Sequence, residues 1–147
     1  MLVVDDSPAN RKMLQMLLKR RGILSDAVDD GQEALLKVSQ DLHKYKVVLM
    51  DNLMPTMNGL DASKAMRDAG YPYLIVGITG NAMQDDLDEY LSSGADLVLT
   101  KPVQVSVIDK IVALRSKHGV LSREGMKLVD KQDDLEWAPL SARFKSK

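Results

Sequence analysis

The chain has 147 residues, about one domain with room for a tail, and 45% of them are apolar, enough for a core. Lys+Arg 20 against Asp+Glu 21 leaves a net charge of −1, without the basic excess of a nucleic-acid surface. There is no cysteine, and His43 and His118 lack a metal-ligand spacing, so disulfide frameworks and Cys-based zinc sites are excluded.

Along the chain, short apolar runs alternate with stretches of helical period. Residues 1–4 form a run that stops on Asp5-Asp6. Ser7-Pro8 then reads as an N-cap followed by proline at the first helical position. Met13, Leu14, Leu17 and Leu18 give that helix its stripe, and Gly22 sits just past it. A weaker run at 23–28, interrupted by Ser25 and Asp26, precedes a second stripe of Leu35, Val38 and Leu42. The run 47–50 ends on Asp51, and Ala62, Ala65, Met66 and Ala69 make a third stripe before Gly70. Residues 74–78 lead to Thr79, with Met83, Leu87, Tyr90 and Leu91 behind them and Gly94 beyond. Residues 97–99 lead to Thr100-Lys101, and Ile108, Ile111 and Val112 supply a fifth stripe. Runs this apolar suit strands buried on both faces. Five β-then-α units in succession predict an α/β domain over 1–117, a doubly wound five-stranded parallel sheet with helices on both faces. The methionines read as core and loop packing, and the two histidines as solvated helix residues.

From residue 118 to 147 the pattern lapses, and charges mix with scattered apolar residues. The plain expectation is a C-terminal tail or linker, partly disordered or holding a short helix. The sharper one makes Leu135, Trp137, Leu140 and Phe144 a docking segment. No run reaches the ~18 apolar residues of a membrane span, and no signal-peptide pattern is present, so a cytoplasmic location without membrane contact is expected.

The carboxyl ends of parallel strands share one edge, where open α/β sheets bind ligands. Asp5, Asp6, Asp51, Thr79 and Lys101 all fall there. Taken singly, an acid at a strand end is a cap or turn former, and a lone Thr or Lys needs no role. Together they need one explanation. Three crowded carboxylates call for a cation, and a hard divalent ion such as Mg2+ suits oxygen donors. Lys101 and Thr79 suit the far side of a phosphoryl group, as point charge and hydroxyl donor.

The stretches "LVVDDSPANRKML", "VVLMDNLMPTMNGLDA", "LIVGITGNA" and "GADLVLTKP" resemble, in order and spacing, the receiver domains of two-component response regulators. The resemblance covers about residues 1–117 and implies a flavodoxin-like (βα)5 fold and phosphorelay signalling. It implies Asp51 as the phosphoacceptor, taking its group from a phosphohistidine. It implies Mg2+ held by Asp6 and Asp51, by the backbone carbonyl of Leu53, and by Asp5 through water. Lys101, Thr79 and Gly80 would bind the phosphoryl group, with Thr79 swinging inward as the switch. Pro102 would follow a cis peptide bond. Where the family commonly has Tyr or Phe as a second switch residue, this chain has Val98, which puts signalling through an aromatic rotamer in doubt. The implied partners are a histidine kinase or a histidine phosphotransfer protein, and the stretch "MDNLMPTMNGLDASKAMR" is most like the receivers of hybrid histidine kinases. A phosphorylation-dependent homodimer is a further expectation, and direct nucleic-acid contact is not expected. The chain would accept a phosphoryl group without being a turnover enzyme. Two alternatives stand beside this: a haloacid-dehalogenase-like phosphatase, whose second acid would have to sit at Leu53, and a receiver-like scaffold that binds without phosphorylation.

Overall fold

A computed structural model describes residues 1–81, 83–117, 119–132 and 134–139. Five β-strands and five α-helices alternate, and a hairpin follows them. The strands are β1 (Leu2–Val4), β2 (Asp26–Val28), β3 (Val47–Asp51), β4 (Leu74–Thr79) and β5 (Leu97–Thr100). The helices between and after them are α1 (Pro8–Lys19), α2 (Gly31–Gln40), α3 (Gly59–Asp68), α4 (Gln84–Ser92) and α5 (Val105–Lys117). The sheet runs β2-β1-β3-β4-β5 and every pairing is parallel. This is the doubly wound order, and the chain reverses direction between β1 and β3.

Local chemistry sets the element ends. The Ser7 hydroxyl accepts from Asn10 N to open α1, with Pro8 at its first position. Asp30 and Asn58 cap α2 and α3 in the same way. Gly22 and Gly70 close α1 and α3 at φ 74° and 93°, a conformation that costs a residue with a Cβ far more than glycine. β3 and β4 are buried along their whole length, so alternate residues feed two cores. Val3, Leu49, Val76 and Ile78 face α1 and α5, while Val4, Val48, Met50 and Ile75 face α2 to α4.

Three expectations need correction. Met13, Met16 and Met83 are 46%, 47% and 67% exposed, so they are not core; each helix turns narrower stripes inward than its apolar count suggests. His43 lies in the turn before β3 rather than in a helix, with Nδ1 2.8 Å from the Tyr73 hydroxyl; His118 is outside the described residues. The third concerns the expected tail. Residues 126–130 and 135–139 form an antiparallel hairpin, β6 (Met126–Asp130) and β7 (Leu135–Pro139), not a short helix. Leu128 and Leu135 are buried in the α1/α5 core, and Trp137 packs against it beneath Arg123. Lys127, Val129, Glu136 and Ala138 take the opposite face, because strand side chains alternate, and this mixture made the segment look patternless. Leu140 and Phe144 lie outside the described residues.

Candidate functional site

Sheet register builds the site. Val4 pairs with Met50 and Thr79 with Thr100, so Asp5, Asp51, Thr79 and Lys101 leave the sheet along one edge. Asp5, Asp6 and Asp51 each place an oxygen so that the three atoms lie within 4.8 Å of one another. Asp5 and Asp51 are buried and Asp6 is exposed. The Asp5 carboxylate also accepts from Ser7 N at 2.9 Å, so one of its oxygens is already engaged. Lys101 Nζ stands 2.9 Å from Asp51 Oδ1. Its backbone N–H donates to Thr79 O, and the Lys101–Pro102 peptide is cis.

Burial pushes the Asp51 carboxyl above its usual value, and the charges of Asp5 and Asp6 add to this against the opposing Lys101. Burial alone would lower the Lys101 ammonium, but its bond to Asp51 and the three acids outweigh burial and raise it. Three carboxylates face one ammonium, so the site carries surplus negative charge, which adds to the first shift and drives the second. The donor set is all oxygen and supplies few protein ligands. That fits Mg2+, which keeps waters in its shell, better than zinc or copper.

The remaining expected residues surround a cleft of about 500 Å³ beside Asp51. Thr79, Gly80 and Leu53 line it, together with Asn52 and Asn81. The Thr79 hydroxyl accepts from Asn81 N at 3.1 Å. A Cβ at Gly80 would meet nothing within 4 Å, so resting packing does not demand glycine there. The Leu53 side chain is 76% exposed. Val98 is half-buried on β5, paired with Gly77.

Sequence reasoning missed the bonds made by three neighbours. Asp30 caps α2 and also accepts from Thr56 N at 2.8 Å, which ties down the loop after Asp51; the "DDG" before α2 was its signal. Asn81 donates to Asp86 at 2.6 Å and accepts from Met83 N at 3.0 Å. Tyr90, assigned only to a helical stripe, donates its phenol hydrogen to Met50 O at 2.7 Å, the carbonyl just before Asp51. Burial first, and then the Asp51 charge, push that phenol's pKa up.

The family model described as "Response regulator receiver domain" matches residues 1–113. The chain is 38% identical over 111 residues to Two-component response regulator 24 of Arabidopsis thaliana, covering 76% of this chain and 79% of that protein. It is 34% identical over 123 residues to sensor histidine kinase RcsC of Escherichia coli K12, covering 84% of this chain but only 13% of the kinase. Among solved structures, the receiver domain of sensor histidine kinase PA1611 from Pseudomonas aeruginosa PAO1 superposes with a TM-score of 0.68 at 28% identity. That match covers 76% of this chain and 91% of the other, and that structure has a magnesium ion coordinated in its active-site cleft.

Proposed function

This chain belongs to the response regulator receiver family, the phosphoryl-accepting domain of two-component systems, and from that premise we propose that Asp51 is its acceptor. The observation that carries the proposal is the ion pair of a buried Asp51 with Lys101 beside two further carboxylates. An Asp51 oxygen attacks the phosphorus of a phosphohistidine. The O–P bond forms as the P–N bond breaks, and the imidazole leaves with the electron pair and takes a proton from water. Such a transfer passes through a loose transition state that asks for alignment and charge neutralisation rather than a general base. Lys101 supplies one positive charge at the acceptor, and Thr79 can turn its hydroxyl from Asn81 N toward a phosphoryl oxygen. Asp6, Asp51, the Leu53 carbonyl and, through water, Asp5 would hold Mg2+. When bound, that ion supplies the neutralising charge that the three acids otherwise deny an incoming phosphoryl group. The open space at Gly80 leaves a path for the donor.

The donor is a histidine kinase or a histidine phosphotransfer protein, and the cytoplasm is where such a donor would meet this domain. Among the described residues no helix is long and apolar enough to cross a membrane. Residues 1–117 form the receiver unit and 118–147 an appendage. The phosphatase alternative needs an acid two residues beyond Asp51, where the exposed Leu53 stands.

The test is to incubate the chain with Mg2+ and phosphoramidate and weigh it intact. Wild type is expected to gain one phosphoryl mass and Asp51→Asn none. Equal gains on both would place the acceptor elsewhere.

A further inference from the structure

Val98 leaves this receiver without the aromatic side chain that its resemblance leads one to expect on β5. A buried aromatic ring nevertheless reaches the same region from another element. Gly77 and Val98 are paired neighbours on β4 and β5, so their side-chain directions share a face, the one that α4 covers. Gly77 leaves a hole there, and the Tyr90 ring fills it: a Cβ at Gly77 would lie 2.6 Å from Tyr90 Cζ. The same phenol reaches past β4 to Met50 O. A Cβ at Gly59, the first residue of α3, would collide with its hydroxyl. One side chain of α4 thus touches the strand that carries Asp51, the helix after it, and the strand that carries Thr79.

The rest of α4 is lightly held. Only Tyr90 and Leu91 are buried along it, and its N-cap, Met83, makes no side-chain capping bond. Its first turn is tied instead through Asn81. The Asn81 N–H donates to the Thr79 hydroxyl, its side-chain carbonyl accepts from Met83 N, and its amide donates to Asp86. Turning the Thr79 hydroxyl toward a phosphoryl group removes the first bond of that chain. The other attachment, at Tyr90, remains.

We infer that Tyr90, seated against Gly77 and bonded to the Met50 carbonyl, is the positioning residue through which α4 reads the state of Asp51, in place of an aromatic at position 98. The phenol is the pivot, and the Asn81 turn is the end that moves. A side chain that merely filled space would stabilise the resting and phosphorylated forms alike, whereas a pivot makes their difference depend on its hydrogen bond.

This inference rests on Asp51 being the acceptor, so both are read in one experiment. The protein is treated with Mg2+ and phosphoramidate, weighed intact, and followed by amide hydrogen exchange over residues 84–92. Wild type is expected to gain the phosphoryl mass and to exchange faster in the first turns of α4. Tyr90→Phe keeps the ring and loses only the hydroxyl. It is expected to gain the same mass, to exchange about fivefold faster over α4 before phosphorylation, and to lose most of the phosphorylation-dependent difference. An equal difference in Tyr90→Phe and wild type overturns the inference and leaves the acceptor reading intact. So does a difference abolished by Val98→Ala and kept by Tyr90→Phe, which would route the signal through β5. No mass gain on wild type overturns the acceptor reading, and this inference with it.

Discussion

Asp51 is a costly residue. Its carboxylate is buried, faces two more, and has one ammonium for relief. With its pKa raised by burial and like charge, the ionised side chain opposes folding at neutral pH. Asp51→Asn removes that charge and strands a lysine whose side chain is 37% exposed and can rehydrate. In magnesium-free buffer the variant is therefore expected to be more stable in urea unfolding, by something on the order of 1 kcal/mol. A less stable variant would mean that the Lys101 bond outweighs the repulsion. Gly77 carries a second residue-scale expectation. Gly77→Ala forces the Tyr90 ring out of its seat and is expected to cost about 2 kcal/mol. In a Tyr90→Ala background the same change should cost close to nothing, and a double-mutant cycle in urea reads the coupling. The gathering of Asp51, Lys101 and the acidic pair was legible in the sequence because each ends an apolar run. Tyr90 was not, because its partner is the absence of a side chain at Gly77, and a glycine within a strand does not say what fills the space.

At the level of elements, the βα units were readable because burial on both faces writes central strands as unbroken apolar runs, while β2 at the border, exposed at Asp26, left only a broken one. The hairpin was not, since β6 and β7 each bury a single residue fully, Leu128 and Leu135, among mixed polar and apolar neighbours. A buried charge that sequence reading also passed over helps to tie the segment to the main sheet. Asp96, at the entry to β5, is fully buried. It pairs with Arg67 of α3 at 2.8 Å, accepts from Ile75 N at 2.8 Å and from the Ser122 hydroxyl at 2.5 Å, and its carbonyl accepts from Leu128 N. Lys110 of α5 reaches Asp130 at 2.7 Å, an exposed contact that adds little. Apolar burial dominates: Leu128→Ala empties part of the core under α5 and is expected to cost about 2–4 kcal/mol in chemical unfolding. A change below about 0.5 kcal/mol would mean that the hairpin merely rests on the surface.

For the whole molecule, binding of the proposed Mg2+ would be linked to folding. A cation that binds only the assembled acids stabilises the native state by mass action, about 2.7 kcal/mol at a hundredfold excess over its dissociation constant. Thermal unfolding of the wild type is expected to shift upward with added Mg2+ and to plateau. Asp51→Asn, already relieved of one charge, should start higher and respond less. Parallel responses in the two proteins would place the ion away from Asp51. The parallel sheet makes this linkage global, because the three acids come from chain segments brought together only when β1 and β3 pair.

The hairpin also bears on what the border of the main sheet exposes. A sheet's outermost strands offer unpaired amides to any passing chain. Here β2 at one border spans three residues, while at the other border Leu128 N donates to Asp96 O where β5 begins. The family match ends at residue 113, so a fragment cut there would bare the β5 border together with the apolar flank of α5 that the hairpin shields. The consequence of the hairpin is cover for one sheet border and for the flank of α5, at the end of the strands opposite to the three acids.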